Sequence, residues 1–143
     1  MITRPAVFSD LDRPDVRELI SRGICSGTLA EIDWPKVWGM CRQLVSSPFH
    51  HVSLAFNDGK AVAYLGAMRT QTWEAKDKFL VVGWFSEHRG AGMKLLNELL
   101  ARAKADDEIG AVMVVVNSDH DEKLARVLSR RGATTVPTFN IYT

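Results

Sequence analysis

The residues with the clearest capacity for chemistry form one short segment, Arg89-Gly90-Ala91-Gly92-Met93-Lys94. The segment joins a strand-like stretch to the start of an amphipathic helix. Glycines let the backbone approach a ligand closely, and the N–H groups of a helix's first turn have no partner within the helix. The helix dipole is positive at this end, and Arg89 and Lys94 add charge at the rim. This pattern predicts a site for an anion, and a diphosphate suits it best.

Two other phosphate-binding patterns do not fit this segment. A dinucleotide-binding G-x-G-x-x-G would need glycine at position 95, which is Leu95, and no G-x-x-x-x-G-K-[ST] occurs. The order of elements along the chain also differs from a Rossmann fold. On spacing alone one alternative stays open, in which the glycines only ease a tight turn between strand and helix.

Several side chains near the predicted strand ends could move a proton. Glu87, His88, Asp119 and His120 are candidates for a general base, a group that takes a proton from a reacting partner. Each has a structural alternative: the first two could be solvated loop residues, and the last two could cap a helix.

Other residues could also do chemistry, but residues of these types more often have structural roles. Basic residues in the last predicted helix could steer an anionic ligand, but they also suit a helix C-terminus: Lys123, Arg126, Arg130 and Arg131. Aromatic residues could line an acceptor pocket, but core packing is their commoner role: Trp34, Trp38 and Trp73. The cysteines, Cys25 and Cys41, are expected to be buried structural thiols. No CxxC or HExxH pattern occurs, so we expect no metal.

The first half of the chain predicts a strand and two helices. A short strand fits residues 2–8, with Pro5 tolerable at a sheet edge. Ser9 and Asp10 could cap a helix that ends at Gly23 as its C′ residue. A second helix fits residues 34–45, capped by Asp33 and with a proline in its first turn.

The middle of the chain predicts an antiparallel meander followed by a strand–helix–strand unit. Strands fit residues 51–56, 61–68 and 78–85, and Asn57-Asp58-Gly59-Lys60 is a strong hairpin turn. A helix follows from about residue 91 to 106, with Glu98 and Arg102 as an i,i+4 ion pair. The run over residues 111–116 is apolar throughout, as in a buried parallel strand. The residues expected to face inward from the helix are Met93, Leu96, Leu99, Leu100 and Ala103.

The chain ends with a helix over residues 120–131, closed by Gly132, and a strand over residues 134–142. The predicted fold is therefore α/β: a mixed, mostly antiparallel sheet with helices on both faces and a central parallel βαβ unit. We expect one domain covering residues 1–143.

Composition excludes several classes of protein. The chain has 143 residues, 46% of them hydrophobic and 24% charged, with a formal net charge of +1. This balance disfavours disorder, and it gives no global attraction to nucleic acid or anionic membranes. No segment resembles a signal peptide or is long enough to span a bilayer. We expect a reduced, cytoplasmic protein.

The 89–94 segment resembles the [Q/R]-x-x-G-x-[G/A] pyrophosphate loop of the GNAT acyltransferase superfamily, and the predicted element order matches that fold over nearly the whole chain. The resemblance implies an acetyl-CoA or other acyl-CoA co-substrate. Its diphosphate would lie on the backbone amides of the loop, and its pantetheine arm between two splayed parallel strands. Amides near Trp84 and Ser86 would then polarise the thioester carbonyl. The residues so implied are Trp84, Ser86, Arg89, Gly90, Ala91, Gly92, Lys94 and Asn117.

The sequence departs from the superfamily's pattern at three points. Lys94 replaces a small residue in the loop, and bulky Trp84 could narrow the pantetheine slot. Alignment on Gly132 places Leu128 where many members have a tyrosine that protonates the leaving thiolate. Asp121 and Leu124 occupy the family's asparagine and alanine positions. The catalytic acid and base are therefore not identified from the sequence.

Two functions follow from these features. The first is an acetyl-CoA-dependent N-acetyltransferase whose acceptor is a small-molecule or protein amine, with a pocket formed by the first two helices and the loop over residues 70–76. The second is a non-catalytic GNAT-fold binding or structural protein, for example a phage accessory or virion component. A homodimer is conceivable, with the last strand as a candidate edge.

Overall fold

The computed structural model describes residues 1–28, 30–115, 122–134 and 141. Packing groups the chain into two units, Met1–Met113 and Val114–Thr143. The elements in chain order are β1 (Ile2–Pro5), a 3₁₀ turn (Phe8–Asp12), α1 (Pro14–Gly27), α2 (Trp34–Ser46), β2 (His51–Asn57), β3 (Lys60–Thr70), β4 (Asp77–Ser86), α3 (Ala91–Ala105), β5 (Ile109–Val114) and α4 (Glu122–Arg130).

A five-stranded sheet in the order β1-β2-β3-β4-β5 organises the first unit. Strands β1 to β4 pair antiparallel. The β5 strand lies parallel to β4, and the amide of Asp77 at the start of β4 donates to the Glu108 carbonyl just before β5. The mixed sheet confirms the predicted fold class, and α3 forms the crossover between its two parallel strands. The predicted strand over residues 134–142 lies outside the described residues, apart from positions 134 and 141.

Local sequence signals explain most of these elements. Pro5 is tolerated because β1 lies at the sheet edge. Asp33 caps α2 by accepting from the Lys36 amide. The predicted hairpin turn is confirmed, since Asp58 and Gly59 have φ values of 51° and 76°, as a type I′ turn requires. In the second unit, Gly132 ends α4 in the left-handed conformation.

The predicted end of the first helix at Gly23 is wrong. The α1 helix continues to Gly27, and Asp10 lies in the preceding 3₁₀ turn instead of capping the helix. Gly23 faces the sheet, where a Cβ atom would overlap the Tyr64 hydroxyl and come within 2.9 Å of the Phe85 side chain. The glycine therefore permits close helix–sheet packing and does not terminate the helix.

Burial differs from the prediction in the βαβ unit. The β5 strand is not buried on both faces, because Met113 and neighbouring residues are exposed. In α3, Leu95 joins Leu96 and Leu99 in the core, whereas Leu100 is only partly buried.

The predicted Glu98–Arg102 ion pair is not the interaction that Arg102 makes. Its guanidinium donates to the carbonyls of Pro48 and His50, so it fastens α3 to the segment before β2.

Candidate functional site

The end of β4 is arranged so that alternate backbone amides point away from β3. Glu87 donates its amide to the Val62 carbonyl over 2.8 Å, which fixes the alternation of the β3–β4 ladder. The backbone N–H and C=O groups of Phe85 and Gly83 also point toward β3, as those of Glu87 do. Trp84 and Ser86 lie between them, so their N–H and C=O groups point toward the β5 side of the sheet.

A β-bulge lies just before these residues. Gly66 pairs with Gly83 and Ala67 pairs with Val81, so Val82 is an extra residue on β4. A bulge bends its strand and increases the local twist, and bulges are common beside active sites. The bulge divides the β3–β4 ladder into two segments, and Trp84 and Ser86 lie in the segment next to the turn into α3.

The turn after β4 leaves the start of α3 without a side-chain cap. Gly90 is the N-cap residue and has φ +84°, a left-handed conformation that glycine adopts without strain. A Cβ atom on Gly90 would meet no other atom within 4 Å, so the space next to it is open. No side chain bonds to the first-turn amides from this position. An uncapped helix N-terminus is suited to an anion.

The amides of this turn are not equivalent. Ala91 donates to the His88 carbonyl and Lys94 donates to the Gly90 carbonyl, each over 3.1 Å. The amides of Ala91 and Lys94 are therefore already bonded within the protein, so not all amides from Gly90 to Lys94 can serve a diphosphate as predicted. The Gly92 and Met93 amides are the helix donors best placed for it. The side chains of Arg89 and Lys94 are exposed on either side of the turn.

Gly92 has a different role from Gly90. It is buried, and a Cβ atom there would lie 3.1 Å from the Ser86 Cβ and 3.2 Å from the Trp84 Nε1. Trp84 donates from that nitrogen to the Gly92 carbonyl over 3.0 Å. The indole is therefore held against α3, on one face of the sheet, and Gly92 permits the close contact between helix and strand.

The two described candidates for a general base differ in their surroundings. Glu87 forms a bidentate ion pair with Arg22 at 2.7 and 2.9 Å, and this guanidinium holds the pKa of the carboxyl below its usual value. The Nδ1 atom of His88 lies 3.1 Å from the Arg89 carbonyl. The Ser86 hydroxyl donates to the His88 carbonyl at 2.8 Å and so holds the turn in place. Asn117, Asp119 and His120 lie outside the described residues.

An apolar cavity of about 140 Å³ lies on the other face of the sheet, between α1, α2 and strands β2 to β4. Its walls include Ile20, Val45 and Leu54, and it reaches Val82 and Gly83 at the β4 bulge. The predicted contribution of the first two helices to a pocket agrees with this cavity, but no residue of the 70–76 loop lines it.

The cysteines and tryptophans are placed differently from each other. Cys41 lines the cavity and is partly buried, and burial raises the pKa of its thiol. Cys25 is exposed, so its predicted burial is wrong. The rings of Trp34 and Trp38 stack with centroids 6.0 Å apart. Trp38 is partly buried and packs against the core, as predicted, whereas Trp34 is only partly buried and is not part of that cluster. Trp73 is 95% exposed, so its predicted core packing is wrong, and it does not line the apolar cavity.

Tyr64 lines the cavity but carries no functional signal in the sequence. Burial raises the pKa of its phenol, which therefore stays protonated. Its position in an alternating strand gave no signal beyond that of a core residue.

The second unit carries the predicted basic cluster on α4. Lys123, Arg126 and Arg130 are exposed, and Arg126 lies 3.6 Å from Glu122 in an i,i+4 pair. This arrangement is that of a solvated helix face. Among the described residues, no group of three potential metal ligands occurs, and no described helix is long and apolar enough to cross a membrane.

Comparison with solved structures identifies the fold. The chain matches a predicted acetyltransferase with acetyl-CoA from Clostridium acetobutylicum at a TM-score of 0.77 and 14% identity, covering 99% of this chain and 95% of that one. It matches an aminoglycoside acetyltransferase from an uncultured soil metagenomic sample, in complex with sisomicin, at 0.72 and 16%, with the same coverage. It matches a GNAT family acetyltransferase from Staphylococcus aureus at 0.70 and 11%, covering 99% and 98%.

These similarities extend over the whole chain, although sequence identity is low. No family model and no curated protein matches the sequence. The structural likeness shows that the chain has the GNAT fold, as the resemblance of the 89–94 segment implied.

Proposed function

We propose that this protein is an N-acetyltransferase that moves an acetyl group from acetyl-CoA to a primary amine by direct attack. The observation that carries the proposal is the start of α3. This helix begins at left-handed Gly90 without a side-chain cap, directly after a strand end whose Trp84 and Ser86 amides point away from β3. The GNAT fold, shared with acetyltransferases, supports the same function.

The residues of the turn fit the diphosphate of the co-substrate. The first-turn amides of α3 supply N–H donors and the positive end of the helix dipole, and Gly90 leaves open space beside them. Arg89 and Lys94 are exposed at the rim and add cationic donors. The superfamily usually has a small residue at position 94. In this assignment Lys94 is tolerated there, because its side chain points outward and does not obstruct the loop.

The bulky Trp84 side chain does not obstruct a pantetheine site that lies in the plane of the sheet. Strand side chains stand perpendicular to the sheet, and the Trp84 indole is bonded to the carbonyl of Gly92 in α3. The strand's contribution to the site would come from backbone, with the Trp84 and Ser86 amides polarising the thioester carbonyl.

The reaction requires a neutral amine and a departing thiolate. The amine nitrogen forms a bond to the carbonyl carbon, and the C–S bond breaks with its electron pair going to sulfur. A thiol with a pKa of about 8.5 leaves tolerably without an acid, so the leucine at position 128 does not prevent the step. The proton lost by the amine passes to water or to His88, because the Glu87 carboxylate is already paired with the Arg22 guanidinium.

Calorimetric titration with acetyl-CoA tests the proposal. We expect micromolar binding by the wild type and a dissociation constant about tenfold higher for the double variant Arg89→Gln/Lys94→Gln. Lys104→Gln is the matched control, because Lys104 is exposed in the last turn of the same helix. A folded wild type that does not bind acetyl-CoA would refute the enzyme assignment.

A binding protein without catalytic activity is the second candidate function. Leu128 stands where a GNAT enzyme often has its acid, which favours a binding protein that retains the fold without catalysis. Acetyl-CoA binding without release of the CoA thiol, across a panel of amines, would identify that case.

A further inference from the structure

We propose that the apolar cavity between α1, α2 and the sheet holds the body of the acceptor. The acceptor is then a primary amine carrying one aryl or branched-alkyl group, and not a polycation. This inference rests on the proposed function, which it makes more specific.

The size of the cavity sets the size of the group. Its volume is about 140 Å³. An engineered protein cavity of about 150 Å³ lined by aliphatic and aromatic side chains binds benzene, so this space fits one six-membered ring or its aliphatic equivalent. The walls here are of the same kind, with Ile20, Val45 and Leu54 among them.

The charge of the cavity excludes a polycation. Asp10 is the carboxylate in its described lining, and both of its oxygens bind Arg4 at 2.7 Å. One of them also accepts from the Val7 amide. This carboxylate is therefore already neutralised, and an aminoglycoside would find no unpaired acidic partner in the lining to offset the desolvation of its ammonium groups.

The cavity reaches β4, the strand whose end would polarise the thioester carbonyl. Val82 and Gly83 form part of its wall, and they immediately precede Trp84. An amine whose apolar group fills the cavity, with a short alkyl linker, would carry its nitrogen toward the end of β4. The bulge at Val82 bends the strand at this point.

An apolar site also addresses the absence of an obvious base. Burial disfavours the charged form of an amine and lowers its pKa. An amine nitrogen held between this apolar lining and the end of β4 would therefore lose its proton more readily than in water, and water or His88 would suffice to accept it.

Calorimetry with 2-phenylethylamine, in the presence and absence of saturating CoA, tests the proposal. The key variant is Gly66→Ala. A Cβ atom on Gly66, which lines the cavity, would lie 3.9 Å from both Leu44 and Val82, so the methyl group enters the space without a clash. We expect at least fivefold weaker amine binding, with folding stability equal to or above that of the wild type.

Gly39→Ala is the matched control. It makes the same chemical change in α2, where a Cβ atom would meet nothing within 4 Å, and Gly39 does not line the cavity. Its affinity for the amine should equal that of the wild type. The cysteines supply a second readout, since the bound amine should slow modification of Cys41 by methyl methanethiosulfonate and leave exposed Cys25 unaffected.

The outcomes separate this inference from the proposed function. Amine binding that is weakened by Gly66→Ala supports the inference, whether or not acetyl-CoA binds. Failure of 2-phenylethylamine to bind, binding insensitive to Gly66→Ala, or tighter binding of sisomicin overturns it. Binding of the amine by a protein that does not bind acetyl-CoA would retain the cavity as a ligand site and overturn the enzyme function alone.

Discussion

The indole Nε1 of Trp84 donates a 3.0 Å hydrogen bond to the backbone carbonyl of Gly92, eight residues later in the chain. This bond joins the end of β4 to the first turn of α3 across the turn proposed to hold a diphosphate. It also divides the roles of the two glycines in that turn. Gly92 is needed for the approach of helix to strand, and Gly90 for its left-handed φ of +84°.

Substitution of Gly92 by alanine should destabilise the protein. The added Cβ would lie 3.1 Å from the Ser86 Cβ, so α3 or β4 must shift, at a cost of about 1–3 kcal/mol. Chemical denaturation measures the change. Gly39→Ala is the control and should raise stability by about 0.5–1 kcal/mol, because it replaces a helical glycine in open space. Equal effects of the two variants would contradict the packing role assigned to Gly92.

Substitution of Trp84 by phenylalanine should lower stability by about 1 kcal/mol and leave acetyl-CoA affinity within about twofold of wild type. The reason is that the indole bonds to α3, while the proposed ligand contact of this residue is its backbone amide. Denaturation and calorimetry measure the two quantities. A gain in acetyl-CoA affinity of tenfold or more would show instead that the indole obstructs the pantetheine site.

Much of this arrangement was predictable from the sequence. The hairpin at Asp58-Gly59, the cap at Asp33 and the glycine turn before α3 each depend on neighbouring residues, and such local signals are present in the sequence itself. Gly23 shows the limit. Its need for glycine comes from Tyr64 and Phe85, which are distant in sequence, so the local pattern alone predicts a helix end there.

The functional site was predicted less completely than the fold. The glycine-rich turn and a pocket beside the first two helices follow from the sequence. The residues that line the cavity do not, because its walls come from many elements and each residue alone has the pattern of a core position. The distinction between Gly90 and Gly92 also needs coordinates. One glycine is required by its own dihedral angle and the other by the position of Trp84.

Replacing Arg69 by methionine should destabilise the protein by about 2 kcal/mol. The guanidinium is only 10% exposed and binds Asp77, Asp106 and Glu108, which joins β3 and β4 to the connection between α3 and β5. Without it, carboxylates from these elements face one another. Denaturation in 1 M NaCl should reduce the deficit, because salt screens that repulsion. A deficit independent of salt would indicate that lost packing on Phe49 is the cause.

Stability should fall as the pH is lowered from about 6.5 to 4, and His51 should account for part of this loss. Burial lowers the pKa of its imidazole from 6.5 to about 4, with the Arg102 guanidinium acting in the same direction. Between these values the unfolded chain binds a proton that the folded chain does not, so each step toward lower pH favours unfolding. The stability linked to His51 is thus fully present above pH 6.5 and lost by about pH 4, at most about 3 kcal/mol in all.

Denaturation curves at intervals from pH 7.5 to 4.5 measure this dependence and avoid the lower range in which Asp15, with a pKa of about 2, would contribute. His51→Phe should flatten the curve, since phenylalanine does not titrate and can pack on Phe79, as the imidazole does. The Nε2 atom of His51 is buried without a partner, and Nδ1 lies 3.2 Å from the Arg102 guanidinium. In the variant that guanidinium keeps its bonds to the carbonyls of Pro48 and His50. The slope of the wild-type curve is the reference for this variant. If His51→Phe retains that slope, another group is responsible for the acid sensitivity.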